Sequence, residues 1–415
     1  MTAATTSESP SLALPPAPRP SGRSRLLTWG ASELQGRNNG LNLIRLVLAY
    51  SVLVAHGWYL AGKGVGPQLN GQNMGGWAVM GFFAISGYLI TGSRLTKPLG
   101  DYLVLRIARI FPAFLVCLVV TALVFAPLAF VKAHGSLDGF FTTPFTPANY
   151  IFANAGLRII AFDVAGTPTG VPYPAAWSGS LWTLYYEFLC YLIIAALLCF
   201  VWVRRRPWVV FVAMLVSIVG YGGWPQIAPY FGGNADLMYL LQLIPFFLAG
   251  SFLYMVKDKF SFTWPLALLA AAVGFLIVLN VPGWGPQLAA PLLAYVIMWA
   301  GAVIPAPRLV QKHDVSYGVY IYAWPVQQLL ALAGLYTLNL AVYDLLAIVC
   351  TLPLAIASWL LIERPVLRRA RKVTTHARPP AVLAPVNGYA PVVEESTEST
   401  PSSAAQTMTG SGQPR

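Results

Sequence analysis

The sequence has few charged residues. Asp, Glu, Lys and Arg make up only 10% of its 415 residues, whereas 57% are hydrophobic and the mean hydropathy is +0.64. A soluble globular domain has about 25% charged residues. The composition therefore excludes that class and indicates a polytopic membrane protein.

Cysteines are also scarce, and they lack the paired spacing of a metal site or a redox motif. We expect packing thiols in apolar runs, with neither a disulfide nor a metal. These are Cys117, Cys190, Cys199 and Cys350. Residues 1–40 contain no apolar h-region, so we predict no cleavable signal peptide.

Long apolar runs dominate the rest of the chain and predict an all-α bundle of about ten transmembrane helices. The predicted spans are 41–61, 76–94, 110–130, 180–203, 207–223, 237–256, 263–281, 287–304, 316–336 and 340–362. They form a membrane domain over residues 41–366. Residues 1–40 are predicted to be a disordered tail, and residues 367–415 a basic juxtamembrane segment followed by a second disordered tail.

Basic residues lie at alternate ends of these spans. Twenty lysine and arginine residues fall on one side and three on the other, the three being Lys63, Lys132 and Arg158. By the positive-inside rule both termini are cytoplasmic in a multi-pass protein of the plasma (inner) membrane. The net charge of +12 is thereby explained by topology, and we expect membrane lipids rather than nucleic acid as partners.

The first span, NLIRLVLAYSVLVAHGWYL, contains Arg45 and His56. Eleven residues are close to three helical turns, so both side chains share one face and lie roughly 16 Å apart along the axis. Arg45 is expected near the cytoplasmic side and His56 in the outer half. Either residue alone also fits a structural role, since arginine can snorkel to a headgroup and histidine can pack as a hydrogen-bonded core residue.

Glu187, in the fourth span, is predicted to lie at a depth similar to that of His56. An unpaired carboxylate or imidazole is unfavourable in hydrocarbon, so we expect the two to pair and to act together in catalysis. The alternative is a structural His–Glu or Glu–Tyr hydrogen bond, with Tyr185 and Tyr186 as partners.

Arg106 and Arg109 lie three residues apart at the cytoplasmic end of the third span. This spacing puts them on one helical face, where they can bind the phosphates of an anionic cytosolic ligand or anchor to headgroups. Glu363, in the segment IERP, is expected to belong to a basic anchoring cluster.

Six motifs occur in a fixed order between residues 41 and 366. They are LNLIR with ten residues up to His56, then GFFAISGYLI, RIARIFP, SLWTLYYEF, SYGVYIYAWPV and IERP. In these motifs the chain resembles the integral-membrane acyltransferases of the acyltransferase-3 type, which include O-antigen and exopolysaccharide O-acetylases and macrolide acylases.

The resemblance implies ten membrane helices, no bound cofactor, acyl-CoA as the cosubstrate and transfer to a hydroxyl of a carbohydrate, glycolipid or similar acceptor. Carried over, the arginine–histidine motif falls on Arg45 and His56, the basic pair on Arg106 and Arg109, and the motif glutamate on Glu187. The chain departs from many members in carrying Asn42 where they have an acidic residue. We also expect no fused esterase-like domain, which leaves two routes: the chain completes acyl transfer itself or passes the acyl group to a separate partner protein.

The leading hypothesis is therefore O-acyl transfer, with acetyl expected, in which His56 is the general base, Glu187 stabilises the imidazolium, and Arg45, Arg106 and Arg109 bind the donor. A transporter or flippase that uses these groups as a proton relay is the main alternative. A membrane scaffold or sensor is a weaker one. We find no inverted repeat of the kind many transporters have.

The predicted orientation is tested by a reporter fused after Gly62, the residue that follows the first span. We expect the periplasmic reporter to be active and the cytoplasmic reporter to be inactive at this position, because the first span is predicted to run from the cytoplasm outwards with His56 in its outer half. A cytoplasmic signal at Gly62 would reverse the donor and acceptor sides. A fusion after Lys97 is the matched control and is expected to report from the cytoplasm.

Overall fold

The computed structural model describes residue 34, residues 39–259 and residues 261–376. These residues are overwhelmingly helical, which confirms the predicted all-α fold class. The predicted tails fall mostly outside the described residues. The basic segment that follows residue 366 is helical as far as His376.

The first half of the chain forms a pair of very short strands and seven helices. A π-helical segment, Thr121–Phe125, joins α3 to α4. The elements are α1 (Leu41–Leu60), β1 (Gln68–Leu69), β2 (Gln72–Asn73), α2 (Met74–Thr96), α3 (Leu99–Val120), α4 (Ala126–His134), α5 (Pro147–Asn154), α6 (Thr183–Leu197) and α7 (Val201–Arg204).

The second half contains ten further helices, with short 3₁₀ segments at Ala228–Phe231 and Leu335–Thr337 and a π-helical segment at Trp359–Glu363. The helices are α8 (Pro207–Gly222), α9 (Trp224–Ile227), α10 (Ala235–Met255), α11 (Trp264–Asn280), α12 (Gly285–Leu288), α13 (Ala290–Val303), α14 (Arg308–Lys312), α15 (Ser316–Leu332), α16 (Leu340–Ser358) and α17 (Arg364–His376).

Several helices begin at a residue whose side chain caps the first turn. The side-chain oxygen accepts a hydrogen bond from a backbone N–H that has no partner within the helix. The capping residues are Asn73 of α2, Thr146 of α5, Asn234 of α10 and Asn339 of α16. Polar residues between apolar runs thus fix where these helices start.

Each of the ten predicted spans contains a helix, but the helices differ in length. Within the described residues, five helices are long and apolar enough to cross a membrane, or six if the bent pair Pro207–Gly222 and Trp224–Phe231 is one span. Three more apolar helices are shorter, namely α6, α11 and α13. The protein is therefore a membrane protein, while the count of ten spans and the cytoplasmic termini stay predictions.

Helices α2 and α10 approach each other so closely that only glycine fits at their crossing. A Cβ on Gly250 would lie 2.0 Å from the carbonyl oxygen of Ala84, and one on Gly87 would lie 1.9 Å from that of Phe247. Ser251 spans the same crossing and donates to the carbonyl oxygens of Gly87 and Phe247. Small residues at this contact allow the backbones to pack directly.

Helix α15 lies in the interior of the bundle, and every residue from 316 to 328 is buried. Pro325 lies inside this helix, which runs from Ser316 to Leu332. Its polar side chains fix neighbouring backbone, because Gln327 donates to the carbonyl oxygen of Leu53 in α1 and Gln328 donates to those of Tyr173 and Ala176. These bonds attach α1 and the long connection 135–182 to one buried helix.

The connection 135–182 is built around its own polar contacts. The Asn154 side chain donates to the carbonyl oxygen of Ala161 and accepts from the backbone N–H groups of Ile160 and Ala161. The indole of Trp177 is fully buried and donates to the Thr167 hydroxyl. This packing holds the end of the connection, residues 173–182, against α15.

The α2–α10 crossing is tested by substituting Gly250 with alanine. We expect a clearly lower unfolding midpoint in detergent and a loss of about 1–3 kcal/mol, because the added methyl group forces the two backbones apart. Gly100→Ala in α3 is the control, since nothing lies within 4 Å of a Cβ at that helical position. Equal midpoints for the two variants would contradict the close crossing.

Candidate active site

A buried cluster of charges lies at the end of the bundle where α1 begins. The Asp314 carboxylate, in the short connection between α14 and α15, binds two arginines through the same oxygen. Its Oδ2 atom lies 2.6 Å from Nη1 of Arg45 in α1 and 2.7 Å from Nη2 of Arg109 in α3. One carboxylate thus joins three separate parts of the chain.

The cluster continues through Arg109 to Glu363. Nη1 of Arg109 lies 2.9 Å from Oε2 of Glu363, whose side chain is only 1% exposed and whose Oε1 accepts from Ser358. The sequence placed Glu363 in a headgroup-anchoring segment, and that interpretation is wrong because its carboxylate is an internal partner of Arg109. Asp314 was not identified at all, although it is the lone acidic residue in a basic connection.

The pKa of Asp314 reflects this environment. Burial alone would raise it, but the guanidinium groups of Arg45 and Arg109 and the hydrogen bonds from Ser316 outweigh burial and lower it from 3.8 to about 2. The stabilisation from the carboxylate is complete above the unfolded-state pKa and is lost only as the pH falls towards 2. The pairs of Asp314 with Arg45 and Arg109 therefore persist across the physiological pH range.

Arg106 does not share the surroundings of Arg109. Its guanidinium lies 5.9 Å from the ring centroid of Tyr102, and its buried Nε has no hydrogen-bond partner among the described residues. Both terminal nitrogens of Arg109 are bound to carboxylates. The two arginines were predicted as one basic pair, but only Arg106 retains a buried donor without a partner.

Glu187 lies in α6 and is held by two hydroxyl groups. Its Oε1 accepts from Ser86 of α2 at 2.7 Å and from Tyr191, one turn further along α6, at 2.6 Å. No hydrogen bond joins it to His56 in the described part of the chain. The predicted Glu187–His56 pairing is therefore wrong, since nearer hydroxyls satisfy the carboxylate.

His56 lies near the other end of α1 and packs edge-on against Trp324 of α15, with ring centroids 4.8 Å apart. The Trp324 indole donates to the carbonyl oxygen of Ala176, which fixes the ring against which the imidazole packs. Nδ1 of His56 is buried and has no partner among the described residues. A buried polar atom of this kind is unusual and points to a ligand or a water.

Two cavities run between these groups. The first has a volume of about 40 Å³ and is lined by Arg45 and Glu187 together with Val79, Phe82, Phe83, Thr183, Leu184, Ser316, Tyr317 and Tyr320. The second has about 380 Å³ and is lined by His56 and Trp324 together with polar residues that include Tyr59, Gln72, Asn73, Ser180 and Gln242. We refer to them as the arginine cavity and the histidine cavity.

The two cavities meet at three residues. Val79 of α2, Thr183 of α6 and Tyr320 of α15 line both of them. Along α15, Ser316 lines the arginine cavity, Tyr320 the junction and Trp324 the histidine cavity, so one face of this helix follows the whole path. Residues four apart lie on one helical face, which explains why a single helix can do this.

The junction is closed by a pair of hydroxyl groups. The Thr183 and Tyr320 hydroxyls are hydrogen-bonded to each other, and Tyr320 also donates to the carbonyl oxygen of Ser180 at 2.6 Å. The sequence motifs contain both residues, but no charge or unusual spacing marks either of them. Hydroxyl groups in apolar helices more often bond locally than form a site.

The side chains that line the two cavities determine which chemistry the site can perform. An imidazole faces one cavity, a carboxylate and an arginine face the other, and hydroxyl groups separate them. No group of three or more His, Cys, Asp or Glu side chains suited to a metal ion occurs in the ranges that the structure describes. An imidazole and a carboxylate in adjoining cavities fit acid–base chemistry.

Known proteins resemble this chain over most of its length. A family model described as an acyltransferase domain matches residues 38–361. The chain is 28% identical over 350 residues to an O-acetyl transferase of Shigella phage Sf6, covering 80% of this chain and 97% of that protein. It is also 28% identical over 363 residues to Nodulation protein 10 of Rhizobium leguminosarum bv. viciae, covering 80% and 94%.

No solved structure matches the chain. The family match covers most of the membrane helices and includes every residue that lines the two cavities, from Arg45 to Trp324. The chain therefore belongs to the acyltransferase-3 family and is a membrane acyltransferase.

Proposed function

We propose that this protein transfers an acyl group from acyl-CoA, which enters at the Arg45 end, to a hydroxyl of an acceptor in the histidine cavity. The observation that carries the proposal is the meeting of the two cavities at Val79, Thr183 and Tyr320. A donor and an acceptor from opposite ends can thus meet inside the bundle. With the orientation predicted from basic residues, the donor end is cytosolic.

Arg45 and Arg106 are the proposed donor-binding arginines. At about 40 Å³ the arginine cavity is smaller than the nucleotide and smaller than the arm of acyl-CoA. We therefore propose that the phosphates remain at its mouth and that the arm enters as the lining side chains move apart. Arg45 lines the cavity and Arg106 has a buried Nε without a partner. Arginine binds phosphate strongly because its planar group donates several hydrogen bonds at once.

Glu187 takes a different role from the one expected. It lines the arginine cavity one helical turn beyond Thr183, and Ser86 and Tyr191 hold its carboxylate in place. The arm of acyl-CoA contains amide N–H groups, and a carboxylate accepts hydrogen bonds from such donors. We therefore assign Glu187 to orienting the donor arm.

His56 is the proposed general base. It takes the proton from the acceptor hydroxyl as that oxygen forms a bond to the thioester carbonyl carbon. The C–S bond then breaks, and the departing thiolate recovers the proton from the imidazolium. The edge-on contact with Trp324 fixes the ring plane, which keeps the imidazole directed to one place.

The lining of the histidine cavity favours a carbohydrate-like acceptor. Gln72, Asn73 and Gln242 provide amide groups, and Tyr59 provides a hydroxyl. Amides donate and accept hydrogen bonds, as recognition of several sugar hydroxyls requires. We propose a cell-surface carbohydrate or glycolipid as the acceptor and acetyl as the transferred group, in keeping with the name of the phage relative. A separate protein that receives the acyl group is the variant in which transfer is completed elsewhere.

Arg109 is the proposed positioning residue of the donor side. Its two ion pairs connect α3 to Asp314 and Glu363, and Asp314 in turn holds Arg45. Arg109 therefore acts on the donor through Arg45 rather than by direct contact. This assignment separates it from Arg106, with which it was first grouped.

Replacing His56 with alanine tests the general base. We expect acetyl transfer from acetyl-CoA to fall by about 10²–10⁴-fold, the contribution typical of a positioned base. The assay follows labelled acetyl on surface glycan or on a glycan panel with purified protein in nanodiscs. His134→Ala is the matched control, because His134 stacks on Phe130 and lines neither cavity. Normal transfer by the His56→Ala protein would reject the mechanism.

Replacing Arg109 with methionine tests the charge cluster. Asp314 would lose one of its two arginines, and Glu363 would lose the one arginine with which it forms an ion pair among the described residues. We therefore expect a loss of about 3–5 kcal/mol in unfolding free energy. Arg158→Met is the control, since its pair with Asp236 is exposed and is expected to contribute at most about 1 kcal/mol. Equal unfolding midpoints for the two variants would show that the cluster does not stabilise the bundle.

A further inference from the structure

The arginine cavity and the histidine cavity share three lining residues, and the proposed donor and acceptor paths meet there. This junction consists of the Val79 side chain and the Thr183–Tyr320 hydroxyl pair. Thr183 is 5% exposed and Tyr320 is 7% exposed, so the pair lies deep in the bundle. Any molecule that passes from one cavity to the other must displace this contact.

We propose that Thr183 and Tyr320 form a gate through which the acyl end of the donor enters the histidine cavity. The inference rests on the proposed function, since it assumes that acyl-CoA approaches from the arginine cavity. It goes further by assigning these two hydroxyl groups to admission and positioning of the thioester. Neither residue is assigned to the acid–base steps.

The hydrogen bonds at the gate explain how it can open without leaving polar groups unpaired. In the closed arrangement Tyr320 donates to the Ser180 carbonyl oxygen, so the Thr183 hydroxyl is the donor to Tyr320. A buried hydroxyl without a partner is unfavourable. The thioester carbonyl oxygen is an acceptor, so it can replace the Tyr320 oxygen as the partner of Thr183 when the donor arrives.

The histidine side of the gate contains a hydroxyl that is ready for a ligand. The Ser180 side chain is 2% exposed, lines the histidine cavity and has no hydrogen-bond partner for Oγ among the described residues. Its own backbone carbonyl binds Tyr320. A carbonyl group that passes the gate therefore meets a second hydroxyl donor at once.

A closed gate also limits hydrolysis of the acyl-CoA thioester. Water that reached the thioester from the larger cavity would hydrolyse it in place of the acceptor hydroxyl. The hydroxyl pair blocks that route until an acyl group occupies it. A site that excludes competing water in this way favours transfer over hydrolysis.

The first test places a removable block at the gate after the protein has folded. Thr183→Cys is made in a background with Cys199→Ser and Cys350→Ser, because those two native thiols are exposed. Cys117 and Cys190 are buried and line neither cavity, whereas residue 183 lines both and can be reached from the histidine cavity. A bulky methanethiosulfonate reagent is then attached to the purified protein and removed with reductant. We expect at least about tenfold loss of acetyl transfer on labelling, full recovery on reduction, and unchanged binding of CoA.

Leu192→Cys in the same background is the control, since Leu192 lies on α6 but is 40% exposed and lines neither cavity. Labelling this residue should leave transfer unchanged. A non-reactive acyl-CoA analogue should slow labelling of the Thr183→Cys protein and not that of the control. Undiminished transfer by the labelled Thr183→Cys protein would overturn the gate.

A second measurement uses the hydroxyl itself. Thr183→Ser keeps a hydroxyl, whereas Thr183→Val keeps the shape and removes it. The measured quantity is the rate of acetyl-CoA hydrolysis without acceptor divided by the rate of acetyl transfer. We expect Thr183→Val to raise this ratio about fivefold, the factor that corresponds to one net hydrogen bond. We expect Thr183→Ser to give the same ratio as the parent protein. Equal ratios in all three proteins would contradict the gate. These results differ from those expected if the proposed function itself is wrong. In that case the parent protein would transfer no acetyl group, or the His56→Ala protein would still transfer it.

Discussion

The sharing of one carboxylate oxygen of Asp314 by Arg45 and Arg109 is the interaction on which the rest of the site depends. Two guanidinium groups within a membrane bundle are unfavourable unless they are paired, and here a single buried acid pairs with both. The contact sets the rotation and depth of α1. His56, eleven residues later on the same face, is thereby directed to the histidine cavity.

The separation of Glu187 from His56 changes the kind of site that this bundle contains. A histidine held by a carboxylate would resemble the base of a hydrolytic triad. Here the imidazole packs against Trp324, while Ser86 and Tyr191 bind the carboxylate on the other side of the junction. The imidazole and the carboxylate therefore line different cavities, which suits the proposed assignment of one to the acceptor and the other to the donor.

The sequence predicted whatever depended on local spacing and on apolar length. It identified the helical segments, the shared face of Arg45 and His56, and the family. The sequence did not predict which side chains form ion pairs or hydrogen bonds with each other across the bundle. Asp314 is 269 residues from Arg45 in the chain, and hydropathy contains no information on such a contact. Equal predicted depth for His56 and Glu187 was not enough, because neutral hydroxyls also satisfy a buried carboxylate.

An enzyme with substrates on two sides of a membrane needs a barrier inside the bundle that lets an acyl group pass and excludes water. A transporter solves a similar problem by moving whole helices. In this bundle the glycine contacts of α2 with α10 and the charge cluster oppose such movement. The proposed gate instead consists of two hydrogen-bonded side chains, Thr183 and Tyr320, and can open by their rotation. A rigid frame with a small internal gate keeps His56 in one position throughout, as a reaction between two bound substrates requires.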